Sequence, residues 1–84
     1  MTEQEIGVIT HYYGKVSVGI IELKEPLKVG DTIRIKGAHE DFTQTVESMQ
    51  VEHEDIKEGK QGDEVGVKVA GRVYPSDKVF KVIE

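Results

Sequence analysis

Short runs of alternating apolar and polar residues, each stopped by glycine, proline or aspartate, divide the chain into strand-length pieces. In residues 5–13, Ile6, Val8, Thr10 and Tyr12 fall on one face and Gly7, Ile9, His11 and Tyr13 on the other. Both faces are largely apolar or aromatic, which predicts a strand covered at one end. Gly14-Lys15 then supplies a tight turn, since glycine tolerates positive φ. Residues 16–23 predict a second strand in which Val16, Val18 and Ile20 have one phase and Ile21 and Leu23 the other. A bulge near Gly19 would carry the apolar set across the sheet.

Pro26 lacks a ladder donor and ends that strand. Lys28-Val29-Gly30-Asp31 reads as a turn, with Leu27 and Val29 anchoring it inward. Residues 32–36 form the cleanest strand, with Ile33 and Ile35 inward and Thr32, Arg34 and Lys36 outward. A polar loop with His39 follows. Residues 42–52 are long for one strand: Phe42 and Val46 share a phase that Met49 and Val51 do not. A bulge near Glu47-Ser48 would reconcile the two halves. Residues 54–62 read as an acidic surface crossing, with room for a single helical turn. Gly62-Asp63 launches a strand in which Val65, Val67 and Val69 alternate with Gly66 and Lys68. A turn with Pro75 leads to the last strand, 78–83.

Six short strands with frequent turns predict an all-β fold, and at this size a single closed β-barrel, because closure removes exposed edges. The chain is expected to be one domain over 1–84, with residues 1–4 a flexible N-terminus. Composition narrows the chemistry. Zero cysteines exclude disulfides and thiolate metal sites. The acidic start and the absence of a long apolar run lead to the expectation of a cytoplasmic protein. Net charge is -5, which disfavours nonspecific phosphate attraction. The acid is concentrated in residues 40–64, where nine carboxylates face Lys57 and Lys60.

No catalytic constellation emerges. His11, His39 and His53 lie on three segments without short ligand spacing, so no metal is expected. The carboxylates have no apolar or basic pocket that would tune an acid/base pair. Ser17, Ser48 and Ser76 sit in no nucleophile motif. The chain is therefore expected to be no enzyme and to carry no cofactor. Asp31 and Asp63, each after a glycine, read as turn residues whose carboxylates bond backbone N–H groups two residues on. Gly14, Gly19, Gly30, Gly62 and Gly66 join them as structural positions.

A family resemblance adds a functional expectation. Gly14-Lys15-Val16, Gly19 and the run Leu27-Lys28-Val29-Gly30-Asp31-Thr32-Ile33-Arg34-Ile35 resemble the first half of the second domain of translational GTPases such as elongation factor Tu. Val46-Glu47-Ser48-Met49-Gln50, Glu58-Gly59 and Gly62-Asp63-Glu64-Val65-Gly66-Val67 resemble its second half. The likeness covers roughly residues 5–83 and is strongest to small stand-alone translation elongation factor-like proteins. A related barrel also ends a family of collagenase-like peptidases that act in tRNA modification. The resemblance implies a six-stranded Greek-key barrel and a non-catalytic module associated with tRNA, the ribosome or tRNA modification. It implies no GTP binding, since no Gly-rich phosphate loop is present. Ile20 stands where elongation factor Tu has an arginine, and Gln50 where it has a glutamate. The expected RNA or partner contacts are His11, Tyr12, Tyr13, Arg34, Lys36, Gln50 and His53, whose aromatic and cationic groups suit stacking. The alternative is a protein–protein adaptor that uses an exposed edge or the acidic tract from Glu47 to Glu64.

Overall fold

Two bulges in the first strand set the shape of the molecule. The computed structural model describes residues 2–38, 40–52 and 54–83. Its first strand, β1 (Thr2–Tyr13), pairs with β10 (Lys78–Ile83) on one side and β2 (Val18–Leu23) on the other. The register shifts between Glu5 and Gly7 against β10, and between Ile9 and His11 against β2. Each shift inserts one residue, Ile6 and then Thr10, and each extra residue bends the strand. Strict alternation is broken, so Ile6 and Ile9 are buried and Tyr12 packs against the core, at a spacing of three. The bulge expected near Gly19 therefore belongs to the partner strand. β2 itself alternates regularly, with Gly19, Ile21 and Leu23 inward.

The remaining strands are β3 (Leu27–Lys28), β4 (Thr32–Lys36), β5 (Asp41–Thr45), β6 (Met49–Val51), β7 (Glu54–Ile56), β8 (Glu58–Gly59) and β9 (Glu64–Lys68). Eight strands form one antiparallel sheet in the order β5-β4-β10-β1-β2-β9-β6-β7, and β3 pairs with β8 separately. The fold is all-β. No helix among the described residues is long and apolar enough to cross a membrane. The ladder starts at β5 and stops at β7, so it does not trace the expected closed six-stranded barrel. What joins β5 to the far side is a side chain. Gln44 donates from Nε2 to the Lys68 carbonyl at 2.8 Å and accepts at Oε1 from the Ala70 N–H at 2.7 Å.

Three further expectations change. Thr2, Glu3 and Gln4 are strand residues opposite Ile83, Val82 and Lys81 and not a loose terminus. The long strand 42–52 is two strands, β5 and β6, which pair with different partners; the chain leaves the ladder at Val46-Glu47-Ser48. That break, and not a bulge, lets both Val46 and Met49 reach the core. The expected helical turn in the acidic crossing is instead β7 and β8, with Glu52 at φ 51 turning β6 back on β7.

The core gathers Ile6, Ile9, Ile21, Leu23, Leu27, Ile33, Ile35, Val46, Met49, Val65, Val67, Val69, Val73 and Val79. Three turns of one design feed its strands. In Lys28–Asp31, Lys60–Asp63 and Tyr74–Asp77 the last residue's N–H bonds the first residue's carbonyl at 3.0–3.1 Å. The aspartate Oδ2 reaches back to the first residue's N–H, at 2.9, 3.0 and 2.9 Å. The carboxylates thus bond backward by three residues, where the sequence suggested forward by two. The third turn position has φ 99 at Gly30, 92 at Gly62 and 77 at Ser76. Ser76 carries a Cβ in a region that penalises one. Ser76→Gly should therefore stabilise the protein by about 0.5–1 kcal/mol, the left-handed penalty less glycine's extra unfolded-state entropy. A urea midpoint that stays put or falls would contradict this.

Candidate functional site

The outward face of β2, β9 and β6 carries an open groove of about 750 Å³. Its geometry follows from register. Ile20, Gly66 and Gln50 form a row across three adjacent strands, because Gly66 pairs with Ile20 on one side and Gln50 on the other. Gly66 has no side chain to fill the row. A Cβ there would sit 3.1 Å from Val18 Cγ1 and 3.4 Å from Ile20 Cδ1. The missing methyl makes the floor. Two residues along β9, Val18 pairs with Lys68; two residues the other way, Glu22 pairs with Glu64. Tyr13, Lys15, Val16, Ser48 and Glu52 complete the walls.

Several wall residues are not where core reasoning would leave them. Val16 is 60% exposed and Tyr13 51%, while Val18 and Ile20 are half-buried on the outer surface. The sequence held the signal: two apolar phases in one strand mean that both faces want cover. Assigning a bulge to β2 hid it. Lys15 and Lys68 were missed for a simpler reason, since outward charges on strands look like solubilising groups; Glu52 and Glu64 entered only as part of the acidic tract.

Of the expected contact residues, the structure brings His11, Tyr13 and Gln50 to this face. His11 and Tyr13 rings lie 4.4 Å apart, tilted by 56°. Gln50 donates from Nε2 to Asp55 Oδ1 at 2.9 Å, which aims its Oε1 elsewhere as an acceptor. Tyr12 points the opposite way, against the core. His53, like His39, lies outside the described residues. Arg34 and Lys36 are on β4, separated from β2 by β10 and β1. A cation–aromatic contact forms elsewhere again, with the Arg72 guanidinium 5.3 Å above the Tyr74 ring.

Arg34 is also engaged. Its Nε and Nη2 bond the two oxygens of Asp41 at 2.7 and 2.5 Å, and its Nη1 bonds Glu3 at 3.0–3.1 Å. The paired fork is the strong geometry for a guanidinium and a carboxylate. It holds the Asp41 carboxyl below its ordinary value, chiefly through the Arg34 hydrogen bond, and raises Arg34 in return. Glu5 is lowered in the same way, first by the hydrogen bond from Lys24. For such groups stability is present above the unfolded carboxyl value and is lost as pH falls through the depressed folded value. Unfolding midpoints should hold from pH 7 to about 5 and decline below about 4. Asp41→Asn should flatten part of that decline; an identical acid limb in the variant would assign the loss to other carboxylates.

Among the described residues no three His, Asp or Glu side chains converge to hold a metal ion. Asp77, the buried carboxylate, serves the Tyr74 turn, and its Oδ1 lies where a Cβ on Gly37 would stand.

No protein-family model matches the chain. An "uncharacterized protease" of Methanocaldococcus jannaschii is 43% identical over 81 residues, which is 95% of this chain and 20% of that protein. The chain therefore spans about a fifth of the length of this relative. The C-terminal domain of a Geobacillus thermoleovorans protein assigned as a U32 peptidase superposes with a TM-score of 0.89. The two are 19% identical, and the match covers 95% of this chain and 93% of that one. The chain has the fold of a U32 peptidase C-terminal domain. A selenomethionine variant of the same domain gives a TM-score of 0.87 at 19% identity, covering 90% and 96%.

These similarities correct the expectation of a translation-factor second domain. The similar proteins carry protease and peptidase names and not that of a translation factor, and the 43% match extends over 95% of this chain. The associated expectation of a tRNA- or ribosome-bound module falls with it. An adaptor working through an edge or the acidic tract gains no support either. Both names are those of peptidases, so the expectation that the chain is no enzyme is likewise unsupported by them.

Proposed function

We propose that this chain is a peptide-holding β domain that works with a U32-type peptidase, presenting the β2–β9–β6 groove to a peptide segment. The observation that carries the reading is the glycine floor. Gly66 between Ile20 and Gln50 leaves room for a main chain to lie on an apolar surface, beside an oriented amide acceptor. Concave sites of a few hundred Å³ with apolar walls and few polar groups are the usual form of ligand pockets. The protease names of the similar proteins supply the substrate class. In this reading the domain binds and its peptidase cleaves. The rolled sheet acts as a barrel in this role, because the Gln44 amide fastens β5 across to residues 68–70 and steadies the strand that carries Gly66.

Backbone-amide NMR of the 84-residue chain tests the reading. Titration with unstructured peptides of four to eight residues should move resonances of β2, β9 and β6 and leave β4 and β5 still. Gly66→Val should abolish those shifts while keeping the dispersed spectrum of a folded sheet. Shifts absent at millimolar peptide, or scattered over the whole surface, would end the proposal.

A further inference from the structure

The groove is charged at both ends, with opposite sign. At one end Lys68 stands beside Val18, with Lys15 on the adjoining turn. At the other, Glu64 and Glu52 close the walls, and Glu22 faces Glu64 directly across the ladder. None of these five charges makes an ion pair among the described residues; Glu64 has only the Thr10 hydroxyl, at 3.5 Å. The Glu22–Glu64 pair is itself informative. Like charges directly opposite each other on neighbouring strands disfavour the sheet, and no lysine or arginine among the described residues pairs with either. Other outward carboxylates are treated differently here: Glu3, Glu5 and Asp41 each have a lysine or arginine at hydrogen-bond distance. A carboxylate pair left uncompensated at the mouth of a groove suits a ligand that brings its own cation.

Resting on the peptide-holding reading above, we infer that the ligand is a short free peptide, bound as a zwitterion. Its terminal ammonium sits at Glu52 and Glu64, and its terminal carboxylate at Lys15 and Lys68. Residues 64 and 68 are four positions apart on one strand, about 13 Å. An extended tetrapeptide has the same length from end to end, about 13 Å at the same rise per residue. The ligand class is therefore a peptide of about four residues with both ends uncapped, which is what cleavage of a longer chain releases. An internal segment of an intact protein would bring no end charges. The Gln50 Oε1 acceptor and the Ile20–Gly66 floor serve the middle of the ligand and leave its side chains largely unread.

Calorimetric titration of the 84-residue chain with tetra-alanine in four forms tests this: free, N-acetylated, C-amidated and capped at both ends. Each cap should weaken binding about three- to fivefold, the range for partly solvated ion pairs, and both together about ten- to twenty-five-fold. In a length series of free peptides, affinity should peak near four residues. Glu64→Gln should shrink the penalty of acetylation while leaving that of amidation, and Lys68→Gln should do the reverse. If the doubly capped peptide binds as tightly as the free one, the zwitterion is wrong and the peptide-holding groove stands. If no form binds, both proposals fail together. If capping weakens binding but neither variant alters which cap matters, the end charges are read elsewhere and this site is wrong.

Discussion

Gly7→Ala is expected to lose about 3 kcal/mol of folding stability, the upper part of the range for overpacking a tight interior. Gly7 follows the first bulge and pairs with Leu23 of β2. A Cβ at this position would lie 2.5 Å from the Glu22 carbonyl oxygen and 2.8 Å from Ile21 Cγ2. The first of these is a backbone atom in a ladder, so it cannot rotate away as the tip of a side chain would. Relief would require β1 and β2 to part beside the crossing where Lys24 N–H bonds the Ile6 carbonyl at 2.7 Å. With an urea m-value of about 1 kcal/mol/M for a chain this size, the midpoint should drop by 2 M or more. Gly14→Ala is the matched control, because its nearest neighbour would be Tyr12 Cε2 at an ordinary 3.5 Å. A Gly7→Ala midpoint within 0.5 M of the parent would show that the bulge absorbs the methyl.

Leu27→Ala should cost about 3 kcal/mol, within the span for removing a large aliphatic group from a core. Val29→Ala, two residues on, should change stability by no more than about 0.5 kcal/mol. The sequence pictured both as anchors of one turn. The structure separates them: Leu27 is 0% exposed and Val29 39%. β3 is only two residues long and contributes little ladder, so Leu27 holds by packing. Opposite it, Gly59 of β8 has no side chain, and a Cβ there would press Leu23 Cδ1 at 2.6 Å and Val65 Cγ1 at 2.9 Å. The small β3–β8 sheet is thus seated on the core through one leucine and one absence. Paired urea denaturations decide the matter, and equal losses for the two variants would refute this account.

Most of the fold was legible because most of its strands obey simple alternation. Ile33 and Ile35, and Val65, Val67 and Val69, are inward as written in the sequence. What failed did so for definite reasons. A bulge changes the phase of one strand relative to another, so the apolar pattern of β2 alone does not say which of the two strands carries the extra residue; it was β1. The 42–52 run looked continuous because three residues outside any ladder, Val46 to Ser48, have strand-compatible side chains. Arg34 was legible as outward, but its partners Glu3 and Asp41 come from β1 and β5, and only the sheet order brings them there. The family signal misled for a related reason. It rested on two turns, ending in Gly30-Asp31 and Gly62-Asp63, with the Ser48-Met49-Gln50 strand between them, yet Tyr74-Pro75-Ser76-Asp77 builds the same turn hydrogen bonds without the glycine. A motif that reports turn geometry reports a need shared by many small β folds. The groove was the least legible part, since it is made by register, which sets Gly66 between Ile20 and Gln50.

The Gln44 amide has a mechanical consequence. Elsewhere the sheet is stitched by rows of main-chain bonds, which give way only together. At the seam beside β5 a single side chain makes two, and two such bonds contribute on the order of 2 kcal/mol. The amide works as a single clasp between β5 and residues 68–70. On warming, the clasp can open and reclose many times before any row of stitches is lost, so the molecule breathes along β5 while β1, β2 and β9 stay together. The groove meets that motion at one end, because the carbonyl held by the clasp belongs to Lys68 of its wall.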